Sequence, residues 1–317
     1  MAATKFPTGS TVCFLGDSIT ANGGWIRRVY AQYRQEGIAC RLYNCGVPGD
    51  SAEHALWRLE ETVFCYDPTH VVIAFGMNDC SYTVFKDEPL TEKWVIYRRR
   101  RQDNCIHYLR LIARQCRQRG ISVTFCTPTV PDEWMESETP VYVGVEAAIV
   151  ELSLRIRALA EELEADVVDF TLPFRSMAHK LNTQGKSLVC PDRIHPVPEG
   201  HELMAKLFLQ AQGFAVEIPE TWEQLVALTA APHDAWEEKR FALEQEANAN
   251  LFAEWNFGFG LKSPEAVEAA IQVQLTTEKN QSVRQRLEQY ASLRDQIPAR
   301  RQALIEHTNT VKELSLC

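Results

Sequence analysis

Short apolar runs alternate with longer amphipathic stretches over residues 11–213. The runs are Thr11–Leu15, Ala39–Asn44, His70–Phe75, Ile121–Cys126 and Asp166–Phe170, each bounded by Gly, Pro, Asn or Asp. They are apolar nearly throughout rather than at alternate positions, which suits strands buried on both faces of a parallel sheet. Between them, Gly24–Glu36, Ser51–Cys65, Thr91–Arg119 and Val145–Glu164 predict helices. In the last, Ile149, Leu152, Ile156, Leu159 and Leu163 recur three or four apart and form one apolar face. A further helix is predicted over about Pro198–Gln212. The alternation predicts an α/β domain: a three-layer α/β/α arrangement around a five-stranded, mostly parallel sheet with right-handed crossovers.

The pattern changes after Gly213. Residues 214–317 carry sixteen acidic and ten basic residues, two glycines and no convincing strand. Helices are predicted over about Thr221–Thr229, His233–Trp255, Ser263–Gln296 and Ala299–Leu314, with Pro298 as the break or kink before the last. Ser263-Pro264-Glu265 reads as a helix start. We therefore expect an α/β domain at 1–213 and an all-helical extension at 214–317. Trp222, Trp236, Trp255 and several apolar helix faces are too much to leave in water. The extension is expected to dock on the α/β domain, or on a second copy of the chain as a homo-oligomer, with the aromatic segment Glu254–Gly260 as the dock.

Composition narrows the function. The chain has 317 residues, 45% of them hydrophobic, which is ample for a core, and a net charge of −9 that argues against nucleic acid or an anionic membrane as partner. No apolar run approaches the ~18 residues of a membrane span, and Met1–Val12 holds no apolar signal region. The ten cysteines include no C-x-x-C pair, and several lie in strand patterns. They read as reduced thiols of a cytoplasmic protein. The four arginines Arg98–Arg101 point all around a helix axis and read as a solvated or salt-bridged face.

Four segments could carry chemistry where parallel strands end. Gly16-Asp17-Ser18-Ile19-Thr20 follows the first strand; Ser18 is either an exposed nucleophile or a helix cap. Asn44-Cys45-Gly46-Val47-Pro48-Gly49-Asp50-Ser51 follows the second; its glycines either let a backbone N–H approach a ligand or only turn the chain. Phe75-Gly76-Met77-Asn78-Asp79 follows the third; the Asn78 amide is an oxyanion donor or part of an Asx turn. In Cys190-Pro191-Asp192-Arg193-Ile194-His195-Pro196, Asp192 can orient a basic His195, or both can be surface loop residues. No further His or Cys stands at metal-ligand spacing. Trp57 and Trp134 lie near predicted strand ends, as sugar platforms or as packing; Trp134 is the better placed, in the long Thr127–Pro140 loop.

The four segments in this order resemble the SGNH hydrolases, the GDSL-type lipase and acylhydrolase superfamily, over roughly residues 10–213. The Gly16–Thr20 and Asp192–His201 segments look most like GDSL-type carbohydrate esterases, acetyl-xylan esterases among them. Ile19 stands where the family name has Leu, a common change. The resemblance implies Ser18 as nucleophile, His195 as general base oriented by Asp192, and an oxyanion hole from the N–H groups of Ser18 and Gly49 and the side chain of Asn78. Gly46 would be structural. It implies hydrolysis of a small-molecule ester, an acetylated sugar or oligosaccharide first, without metal or organic cofactor. Acyl-CoA thioesterase or lysophospholipase activity is the enzymatic alternative, and a scaffold on a hydrolase fold the non-enzymatic one.

Overall fold

In the computed structural model, side chains are described for residues 4–82, 91–140, 143–248 and 269–311, and the backbone also for 249–256 and 264–268. Five strands form one sheet: β1 (Thr11–Gly16), β2 (Arg41–Gly46), β3 (His70–Ala74), β4 (Ser122–Cys126) and β5 (Asp166–Val168). Their order is β2-β1-β3-β4-β5 and all four pairings are parallel. β1 is buried along its whole length, as its unbroken apolar run requires. The register sets Gly16 beside Gly46 on one side and Ala74 on the other, so three chain turns leave the sheet at one level.

The helices of this layer are α1 (Ser18–Ala21), α2 (Gly24–Gln35), α3 (Ala52–Trp57), α4 (Leu59–Thr62), α5 (Glu92–Gln118), α6 (Val145–Glu162), α7 (Thr171–Asn182) and α8 (Pro198–Ala211). Two features differ from the sequence reading. The stretch 51–65 is not one helix but α3, α4 and a 3-10 turn, Phe64–Tyr66. The first break falls at Arg58, whose backbone takes φ −106°, ψ 6° while its side chain turns inward. Helix α7 was not anticipated; Pro173 lies in its first turn, where a missing N–H leaves no bond unmade.

The tail forms α9 (Trp222–Thr229), α10 (Ala235–Asn256), α11 (Pro264–Thr277) and α12 (Gln281–Asn309). The break predicted at Pro298 lies instead before Gln281, where Asn280 caps α12 and accepts from the N–H groups of Ser282 and Val283. Pro298 sits inside α12, where its ring removes one helical bond, and Ile297 beside it and Leu304 further along are buried. Leu225, Ala247, Leu304 and Val311 join the same core as the sheet. The aromatic segment 254–260 lies outside the described side chains.

Helix α10 covers the free edge of β2 with polar groups. Arg240, fully buried, donates to the Leu42 carbonyl (3.3 Å) and is paired with Glu237 and Glu244 (2.7 Å each). Glu244 accepts from the Asn44 N–H, and the Asn248 amide donates to the Asn44 carbonyl, both at 2.8 Å. Among the described residues no helix is long and apolar enough to cross a membrane.

Candidate active site

Ser18 is the first residue of α1. Asp17 caps that helix by accepting from the Ile19 N–H (3.0 Å), and a first-turn N–H such as that of Ser18 has no acceptor within its own helix. The close approach of α1 to the strand ends depends on two glycines. A Cβ on Gly46 would lie 2.3 Å from the Ala21 nitrogen, and one on Gly16 would lie 2.8 Å from the Ala74 carbonyl oxygen. Gly46 is therefore structural, as expected.

Val47-Pro48-Gly49-Asp50 makes a tight turn closed by Asp50 N–H to the Val47 carbonyl, with Gly49 at φ +76°. Proline then glycine is the pair a type II turn favours. The Asn78 amide donates one hydrogen to the Asp50 carbonyl at 2.8 Å, which leaves its second hydrogen for another acceptor.

The Asp192 and His195 side chains come from a closed loop. Val189 and Pro196 form an antiparallel bridge, and the Cys190 N–H donates to the His195 carbonyl (2.7 Å). One Asp192 oxygen accepts from the N–H groups of Ile194 and His195; the other lies 2.6 Å from His195 Nδ1. His195 Nε2 lies 2.8 Å from Ser18 Oγ. Burial pushes the Asp192 carboxyl up, but the two N–H groups and the imidazole outweigh it and hold the carboxyl below its ordinary range. A hydroxyl, an imidazole and a carboxylate chained this way can move the hydroxyl proton to the ring while the carboxylate fixes the tautomer.

Three buried acids sit under the Ser18 side. Burial raises Asp17 to about 7 and Asp79 to about 6. Burial also raises Asp50, though its Arg58 partner opposes this. Arg58 spans the strand ends: it pairs with Asp50 (2.6 Å) and donates to the carbonyls of Cys45 (2.8 Å) and Gly16 (3.3 Å). Arg101 donates to the carbonyls of Asn78 and Asp79, both at 3.3 Å, so one of the four consecutive arginines supports the Asn78 turn. Sequence reasoning assigned no role to Arg58, and Asp50 and Arg58, on either side of α3, have no pairing spacing that would have signalled one.

Trp134 is 66% exposed on the loop after β4, in edge contact with His179, and that loop is bonded to the Asp192–His195 loop. Trp57, 51% exposed, ends α3, at the opposite end of that helix from the Pro48-Gly49 turn. The nine described cysteines are free thiols. Among the described residues no group of three His, Cys, Asp or Glu side chains is arranged to hold a metal ion.

Known proteins share this framework. An acetylxylan esterase of Geobacillus stearothermophilus is 25% identical over 229 residues, 66% of this chain and 97% of the relative. The crystal structure of an acetylxylan esterase from that organism superposes with a TM-score of 0.53 at 23% identity, covering 67% of this chain and 97% of its own. A gut microbial diltiazem-metabolizing enzyme superposes with a TM-score of 0.76 at 18% identity, over 99% of this chain and 97% of its own, so its fold extends through the tail helices. Residues 14–203 match the GDSL-like lipase/acylhydrolase family. That match runs from β1 into α8, over more than half of the chain, and the chain accordingly belongs to this family and is an ester hydrolase.

Proposed function

We propose that the chain is a serine esterase that removes acetyl groups from sugars or oligosaccharides, with Ser18 as nucleophile, His195 as general base and Asp192 as its orienter. The observation that carries this reading is one imidazole bonded through its two nitrogens to Ser18 Oγ (2.8 Å) and Asp192 (2.6 Å). In the reaction, Nε2 takes the Ser18 proton as Oγ attacks the ester carbonyl, and Nδ1–H stays on Asp192, which stabilises the imidazolium. The carbonyl oxygen gains charge and accepts from the N–H groups of Ser18 and Gly49 and the second Asn78 amide hydrogen. Collapse expels the alcohol, which takes its proton from Nε2. Water activated by the same nitrogen then releases the carboxylic acid and restores Ser18.

The sugar as alcohol is supported by the acetylxylan esterase relatives and by exposed Trp134 on a loop bonded to the triad loop. Trp57 is the weaker candidate for sugar contact. We also assign the chemistry to residues 1–213 and a bracing role to 214–317; the family match ends at residue 203.

Ser18→Ala should fold normally and lose at least ~10³-fold in turnover of p-nitrophenyl acetate, as removal of a triad nucleophile does. Undiminished turnover would overturn the assignment and favour a scaffold. Across acetylated xylo-oligosaccharides, acetyl-CoA and lysophospholipids, kcat/KM should be highest for the oligosaccharides. A thioester or lysophospholipid preference would replace the sugar reading but leave the triad standing.

A further inference from the structure

Arg193 stands between the two triad residues of the loop, and its backbone and side chain conflict. Its φ is +69°, a left-handed conformation that strains any side chain and suits glycine. The side chain is 3% exposed although the neighbouring Asp192 and His195 side chains are 48% and 40% exposed. The guanidinium does not point into water; it is enclosed by the loop that carries Trp134. Nε donates to the Thr139 carbonyl (2.9 Å), Nη1 to those of Met135 (2.6 Å) and Asp132 (3.2 Å), and Nη2 to that of Ser137 (3.4 Å). The Asp132 N–H donates back to the Arg193 carbonyl at 2.9 Å.

Asp132 completes the bracing. One carboxylate oxygen accepts from the N–H groups of Trp134 and Met135 and from Asn182, and the other from Ser187 at 2.7 Å. Among the described residues no carboxylate forms an ion pair with Arg193. Its guanidinium is matched by carbonyl oxygens alone, a fork geometry that lysine cannot reproduce.

We propose that Arg193 is a positioning residue: it fastens the Trp134 loop to the Asp192–His195 loop, so that one side chain sets both the base and the surface that meets the alcohol part of the substrate. The triad carboxylate and imidazole are half-exposed and draw little rigidity from packing. The anchor beneath them supplies it from within the protein. This inference rests on the esterase reading above and adds a residue that touches neither substrate nor reacting atoms.

Arg193→Gly tests it cleanly, because glycine removes the guanidinium while relaxing the strained backbone. A residue that only turned the chain would be improved by the change. We expect kcat on p-nitrophenyl acetate to fall roughly 10- to 100-fold, the cost of sub-ångström misplacement, with an unchanged circular dichroism spectrum. KM should rise for acetylated xylo-oligosaccharide, which reaches Trp134, and not for p-nitrophenyl acetate. Millimolar guanidinium ion should restore part of kcat in Arg193→Gly and none in Ser18→Ala. Wild-type kcat and KM in Arg193→Gly, or a loss that guanidinium leaves untouched, would overturn the proposal. If Arg193→Gly does not fold, Arg193→Lys decides: a several-fold loss of kcat supports the anchor and wild-type kinetics refute it. Turnover surviving in Ser18→Ala would refute the triad reading itself, whatever Arg193 does.

Discussion

The two halves of the site keep their shape by opposite means. The Ser18 half consists of three turns packed against one another, with glycines where a Cβ would collide and with buried acids beneath. The Asp192–His195 half is an exposed loop held by hydrogen bonds, with an arginine where glycine would be at ease. The acids differ in the same sense. Burial raises Asp17 and Asp79 towards neutrality, whereas hydrogen bonds hold Asp192 ionised. Negative charge is thus favoured beside the imidazole and disfavoured beneath the turns. In the proposed reaction, packing fixes the half that receives charge, and directional bonds fix the half that passes a proton.

The largest test of this contrast falls on the oxyanion side. Asn78→Ala should lower kcat by about 10²–10³-fold with little change in KM; steady-state kinetics on p-nitrophenyl acetate would show it. An effect confined to KM would make Asn78 a ground-state contact. Next comes Gly46→Ala, whose methyl must displace α1 from a 2.3 Å contact with the Ala21 nitrogen. It should destabilise the protein by about 3 kcal/mol, read as a lower melting temperature, and no added ion should reverse its loss of activity.

The smallest test uses pH. Asp79 keeps its proton in the folded chain up to about 6 but loses it near 3.8 when unfolded. The folded state therefore binds more protons between those values, and stability falls as pH rises through them. Asp79→Asn should remove that loss, at most about 3 kcal/mol. It should melt above the wild type at pH 8 and with it near pH 4; equal melting at pH 8 would show that Asp79 carries no such cost.

The sheet was legible because buried parallel strands need unbroken apolar runs, and all five were located within a few residues. The candidate Ser18–His195–Asp192 set was legible because Asp192 and His195 are three residues apart and Ser18 stands two residues past a strand. What escaped the sequence was the work of long charged side chains. Arg58 joins Asp50, Cys45 and Gly16, partners that only the fold brings together. Arg193 sits in a polar motif where hydropathy predicts solvent. Glu237, Arg240 and Glu244 have the three- and four-residue spacing of an exposed ion-pair face, yet all three are buried. Arg240 and Glu244 bond unpaired main-chain groups of an edge strand, partners that no local pattern reveals.

That covered edge also has a consequence in time. Strand β5 ends at Val168, about eighty residues before Asn248, so all five strand sequences are made well before α10 is complete. At ribosomal speeds the interval lasts about 4–16 s. Throughout it, the Leu42 carbonyl and both main-chain groups of Asn44 are open to any extended segment that can add a strand. A sheet that forms within that window of seconds offers its edge to any other chain. Arg240, Glu244 and Asn248 close it, three polar side chains made about two hundred residues after the edge they cover.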